Sequence, residues 1–250
     1  MVALPQVKPV DRPLRTVALV GIDGSGKTTQ AHRLADELAA QGLPAAYRRN
    51  AGGRRWFGRL ATALGRADAE DLLGRRTMLF VESLLRWLSI LRTLLRRSVT
   101  GELTVMDRYA VCQYASLNAR SASPRRARLA SRLFPRPDVT FFLAVDPAVA
   151  YQRIEARAYD HEEMSYLNAA AAAYRSLPEY DDFVIVDANG TPDQVAADLR
   201  AELAAWQRRP VPSRSPRLPA VLSGLRTLLL VGGPLAAGAA AIGLQLAEAF

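Results

Sequence analysis

Gly21-Ile22-Asp23-Gly24-Ser25-Gly26-Lys27-Thr28 follows the apolar run 16–20 and opens a stretch with helical periodicity. Glycine, four residues, glycine, lysine and a hydroxyl residue form a phosphate cradle when they turn from a strand into a helix. The glycines let successive N–H groups and the positive helix end converge on phosphate oxygens. Lys27 then reaches the β- and γ-phosphates, the Thr28 hydroxyl ligates magnesium, and Gly21, Asp23, Gly24, Ser25, Gly26 and Thr29 complete the contact surface for ATP. A turn of this kind serves kinases, ATPases and GTPases alike, so the remainder of the chain must separate them.

Working outward, short apolar runs alternate with amphipathic stretches. The pattern predicts an α/β fold in which a five-stranded parallel sheet carries helices on both faces in three layers, the P-loop NTPase arrangement. Strands are expected over 16–20, 44–47, 103–106, 139–145 and 183–186. The longest helix is expected over 78–97, where Glu82, Arg86, Ser89, Thr93 and Arg96 recur at spacings of three and four and leave a wide apolar face for burial. Thr191-Pro192-Asp193 reads as a capped helix start, with proline at the first helical position and the helix running to about Gln207.

The chain has 250 residues, half of them hydrophobic, which suits one domain of this class plus an appendage. Residues 1–14 contain Pro5, Pro9 and Pro13 without an apolar run and read as a flexible leader rather than a signal peptide. The main domain spans 15–207, a Pro/Arg linker spans 208–219, and 220–250 is a hydrophobic tail. Within that tail, 227–246 carries no charge and has the length of a bilayer span. Arginines on its N-terminal side would leave the domain cytoplasmic and tethered to the inner membrane face. A hydrophobic helix packed on the domain or on a second subunit is the other reading. One cysteine, Cys112, excludes an internal disulfide and fits a reducing compartment. The net charge of +9 comes almost wholly from arginine, since Lys8 and Lys27 are the only lysines. That bias points to phosphate recognition, and no nucleic-acid partner is expected.

Several motifs in order resemble the thymidylate kinase family of nucleoside monophosphate kinases. Gly21-Ile22-Asp23-Gly24-Ser25-Gly26-Lys27-Thr28-Thr29-Gln30 is similar to its phosphate loop, Asp107-Arg108-Tyr109 to its Asp-Arg-(Tyr/His) motif, and Arg49-Asn50-Ala51-Gly52-Gly53 to its Arg-Glu-Pro-Gly-Gly segment. Residues 138–147 with Arg153, Arg157, Tyr174 and 184–188 resemble its fourth strand, lid and last strand. The resemblance implies ATP and Mg2+ as cofactors, a nucleoside monophosphate acceptor, and a homodimer. It implies that Arg49 and Arg108 bind the acceptor's monophosphate with Tyr109 beside them, and that Asp23 lies near the sugar hydroxyl. Asp107 would stand near magnesium with Thr28, and Phe80 would stack on the base. The cation for the moving phosphoryl would come from the lid segment around 159–163, with Arg157 first and Arg153 beside it. His161 stands where the family often has another arginine.

Two positions depart from that pattern: Leu84 replaces a base-reading arginine, and Leu117 a base-contacting glutamine. The expected reaction is phosphorylation of dTMP to dTDP. The departures keep open a same-scaffold kinase for another nucleotide or phosphorylated metabolite. The hydrophobic tail keeps open a membrane-tethered ATP-binding regulatory module.

Overall fold

In a computed structural model, residues 14–157 and 162–209 are described; residues 1–13 of the leader, nearly all of the linker, the tail and His161 lie outside them. Five strands run in parallel: β1 (Thr16–Val20), β2 (Ala45–Arg49), β3 (Leu103–Asp107), β4 (Val139–Ala144) and β5 (Val184–Asp187). Their spatial order is β2-β3-β1-β4-β5. β1 sits at the centre and is buried throughout, as its uninterrupted Thr-Val-Ala-Leu-Val run requires of a strand covered on both faces. Chain direction across the sheet reverses beside β1, so the crevice beyond its C-terminal end is where such a fold binds ligands.

Nine helices surround the sheet among the described residues: α1 (Lys27–Ala40), α2 (Arg54–Ala63), α3 (Ala69–Leu73), α4 (Arg75–Thr100), α5 (Ala110–Ala119), α6 (Arg125–Ser131), α7 (Pro147–Glu155), α8 (Met164–Arg175) and α9 (Pro192–Arg208). The strand expectations hold to within about two residues at each end. Thr191 caps α9, its side chain accepting from the Gln194 N–H while the Gln194 side chain accepts from the Thr191 N–H. α4 outruns its expected span by about one turn at each end, because Gly74 and Gly101 rather than side-chain caps bound it.

The face of α4 is the first correction. Its polar residues Glu82, Arg86 and Thr93 point inward and are buried. Phe80, Leu84 and Leu88, one turn apart, form an exposed stripe at 65%, 43% and 45% exposure. Burial is tolerated because each inward polar group finds a partner: Glu82 pairs with Arg86 at 3.1 Å and Arg54 at 3.3 Å, and Thr93 donates to Asn50 at 3.1 Å. The stretch 227–246, read as a membrane span, lies outside the described residues. Among those described, no helix is long and apolar enough to cross a membrane.

Candidate active site

The turn between β1 and α1 brings the phosphate loop to the centre of the sheet's C-terminal edge. Gly24 adopts φ +81°, and a Cβ there would stand 2.5 Å from the Ala150 carbonyl oxygen. The loop therefore packs directly on the backbone of α7. Gly26 is the N-cap of α1 with φ 88° and supplies no side-chain cap, which leaves the first N–H groups of the helix for an anion. Lys27 is 4% exposed, and its Nζ donates to the Ile22 carbonyl at 2.5 Å and to Ser25 Oγ at 3.3 Å. Burial, and then the charge of Arg108, push its amine down to about 8 against the opposing pull of Asp23 and Asp107. Thr28 and Thr29 are exposed on the same turn.

β3 delivers the second half of the site. Asp107 is fully buried; its Oδ2 accepts from Thr28 Oγ1 at 2.6 Å and from the Tyr47 hydroxyl at 3.2 Å, while Oδ1 is buried without a partner. Burial and the Asp107 charge push the Tyr47 phenol up. The next residue, Arg108, takes φ +77°, a left-handed conformation that costs a side-chain-bearing residue about 1 kcal/mol or more. Asn50 holds it there: its Nδ2 donates to the Arg108 carbonyl at 2.8 Å and its N–H to the Asp107 carbonyl at 3.0 Å. So fixed, Arg108 turns back to Asp23, Nη2 to Oδ1 at 2.5 Å. Burial alone would raise the Asp23 carboxyl, but Arg108 and Lys27 together hold it well below the usual carboxylate range. Asp23 in turn is the largest cause of the Arg108 guanidinium rising further above its ordinary value.

These contacts settle the geometry the sequence left open: the phosphate loop and the Asp107-Arg108 strand end face one crevice. Arg49 closes β2 opposite Asp107 in the strand register and is exposed there. Arg157 lines the cleft over Gly24, Ser25 and Thr29. Arg153 lines it too, but its guanidinium donates to the carbonyls of Ala188, Asn189 and Gly190 at 2.7, 3.0 and 2.8 Å. A guanidinium spent on three carbonyls clamps the loop after β5. Arg153 thus stands beside Arg157 as expected, with its guanidinium engaged by those carbonyls. Of the segment 159–163 expected to form a lid, 159–161 lie outside the described residues.

Two acceptor-side expectations are corrected. Phe80 stands on the outer stripe of α4, on the opposite side from Glu82 and Arg86, and is not placed to stack on a base in the crevice. Tyr109 is 5% exposed and donates its hydroxyl to the Pro135 carbonyl at 2.5 Å, which makes it a core residue. Leu84 shares the outer stripe, and Leu117 is buried.

Polar groups that sequence reasoning did not assign stand on the inward faces instead. Arg86 and Gln113 are buried, and each retains an unpartnered atom, Nε and Oε1 respectively. Gln113 Nε2 donates to Ser83 Oγ at 2.9 Å, joining α5 to α4, and the Arg86 charge contributes to lowering the Asp23 carboxyl. Gly52 fits beneath them: a Cβ there would stand 2.6 Å from Glu82 Cγ and 3.0 Å from Arg86 Nη2. The available signal was the spacing of Glu82, Arg86 and Thr93, which marks one helix face without telling which way it points.

The profile of the thymidylate kinase family matches residues 19–199, most of the chain. The chain belongs to the thymidylate kinase family. It is 31% identical over 191 residues to a probable thymidylate kinase of Pyrobaculum aerophilum, covering 75% of this chain and 94% of the relative. With a thymidylate kinase of Xanthomonas campestris pv. campestris it shares 32% over 198 residues, 76% of this chain and 82% of the relative. A probable thymidylate kinase of Archaeoglobus fulgidus is 27% identical over 193 residues, 76% of this chain and 95% of the relative. Thymidylate kinases use ATP as the phosphoryl donor with Mg2+. The residues present fit such an ion: Thr28 Oγ1 and the partnerless Asp107 Oδ1 are hard oxygen donors beside the phosphate loop. No cluster of three or more acidic, histidine or cysteine side chains suited to a metal occurs among the described residues. A pair of protein oxygens matches an ion that takes most of its ligands from phosphate and water.

Proposed function

We propose that this chain transfers the γ-phosphoryl of ATP to dTMP, giving dTDP and ADP. The observation that carries the reading is the joining of the two half-sites, Thr28 to Asp107 at 2.6 Å and Asp23 to Arg108 at 2.5 Å. Phosphoryl transfer requires little covalent help; donor and acceptor must be held in line while cations offset the charge of the moving group. An oxygen of the acceptor's monophosphate attacks the γ-phosphorus, and the bond to the β–γ bridging oxygen breaks. Lys27 and the loop N–H groups hold the β- and γ-phosphates. Arg108, with Arg49, grips the acceptor's monophosphate, and Asp23 orients the sugar. Arg157 supplies positive charge to the transferring group. Magnesium, held by Thr28 and Asp107, would offset charge on the β- and γ-oxygens.

The base is read by Arg86 and Gln113. Arg86 Nε offers a donor to a ring carbonyl and Gln113 Oε1 accepts a ring N–H, the pair of edges that thymine presents. Cytosine presents an unprotonated ring nitrogen in place of that N–H and leaves Gln113 facing another acceptor. A coupled ADP-release assay across dTMP, dUMP, dCMP and non-nucleotide phosphates tests the assignment. dTMP gives the highest kcat/KM, and dCMP falls at least about a hundredfold below it. A silent dTMP reaction overturns the reading.

Two further elements belong to the proposal. The exposed stripe of Phe80, Leu84 and Leu88 supports a homodimer paired through α4. The uncharged stretch 227–246 and the arginines before it support a tether that keeps the kinase domain on the cytoplasmic face of a membrane. Equal membrane fractionation of the full chain and a chain stopped at Gln207 contradicts the tether.

A further inference from the structure

Asp107 is supported by a group outside every motif considered so far. Tyr47 is the third residue of β2, and its hydroxyl reaches across to β3 to donate to Asp107 Oδ2 at 3.2 Å, the same oxygen that Thr28 uses. The ring is held from the other side by His32 of α1, stacked at 3.5 Å between centroids with an interplanar angle of 21°. Three elements thus converge on one carboxylate oxygen: α1 through Thr28 and His32, β2 through Tyr47, and β3 through Asp107 itself. With Oδ2 taken by two hydroxyl donors, Oδ1 is left buried and without a hydrogen-bond partner.

We propose that Tyr47 is a positioning residue for the metal: its hydroxyl fixes the Asp107 carboxylate so that Oδ1 stays aimed at the ion shared with Thr28. The inference rests on the assignment of Thr28 and Asp107 as the magnesium site. Thr28 Oγ1 can give its hydrogen to Oδ2 and still offer a lone pair to the ion, so the hydrogen bonds present are those the loaded site would keep. An outer hydrogen bond to a ligating carboxylate typically changes metal affinity by about ten- to a hundredfold when removed. The His32 stack serves the same end by holding the phenol ring beneath the carboxylate.

Tyr47→Phe removes the hydroxyl and keeps the ring on His32. The test uses the full chain with Mn2+ as the probe, reading bound ion by electron paramagnetic resonance in the presence of ADP, with Asp107→Asn alongside. Tyr47→Phe is expected to bind Mn2+ in the nucleotide complex about tenfold more weakly. Its ADP affinity in EDTA should match the parent protein, whereas a general loosening of the phosphate loop would weaken ADP without metal as well. If Tyr47→Phe binds Mn2+ like the parent while Asp107→Asn does not, the positioning role is overturned and the metal assignment stands. If neither variant changes Mn2+ binding, both are overturned.

Discussion

Asp23 sits between two cations, 2.5 Å from the Arg108 guanidinium and 3.8 Å from Lys27 Nζ, and its ionisation therefore records the integrity of the crevice. Its folded-state pKa lies below the ordinary value near 3.8. A depressed carboxyl contributes stability that is present above the unfolded pKa and is lost as pH falls through it towards the folded value. Asp23→Asn should consequently destabilise the protein at pH 7, where Arg108 and Lys27 are left facing each other. The gap to the parent should narrow as pH falls below about 4. Chemical denaturation at pH 7 and pH 3 checks this; a gap independent of pH would show that Asp23 is not held ionised by these partners. At this scale the phosphate loop, Asp107 and Arg108 were legible in the sequence, because each belongs to a short motif whose backbone geometry is set locally. Asn50, which holds Arg108 at φ +77°, was not legible as a support, because its partners lie on β3 and on α4.

Among the elements, α4 shows why sequence periodicity identified a helix and missed its orientation. Polar spacing normally marks the solvated side. Here Glu82, Arg86 and Thr93 are turned toward a polar site, and the apolar Phe80, Leu84 and Leu88 face outward. Periodicity gives the angle between two faces but not which neighbour each meets. The loop before α1 makes the opposite case, since its glycines state their own geometry. Gly24 and Gly26 both have positive φ, yet a Cβ at Gly24 would strike the Ala150 backbone, and one at Gly26 would meet nothing within 4 Å. Gly24→Ala should therefore separate α7 from the loop, raising the KM for ATP at least about tenfold and lowering stability by about 1–3 kcal/mol. Gly26→Ala carries the backbone strain alone and should lose less stability. Equal losses of stability in the two variants would contradict the packing of α7 on the loop.

At the scale of the whole molecule, the parallel sheet and its helix layers followed from alternating apolar and amphipathic runs, because a parallel sheet buried on both faces leaves a strong compositional trace, whereas the strand order and the central place of β1 depend on long-range pairing. The proposed pairing surface leaves a weaker trace, since an exposed apolar stripe on a helix has the same sequence signature as a buried one. If α4 is the pairing surface, a Leu84→Glu, Leu88→Glu variant should run as a monomer in sedimentation while keeping its ATP affinity; an unchanged dimer would place the interface elsewhere. The central claim is that donor and acceptor bind in one crevice, and it can be measured with a ligand that joins adenosine and thymidine through five phosphates. One crevice predicts calorimetric binding at least about a hundredfold tighter than ATP or dTMP alone, with one ligand per chain and loss of that gain in Arg108→Ala. Affinity no greater than that of ATP, unchanged by Arg108→Ala, would contradict it.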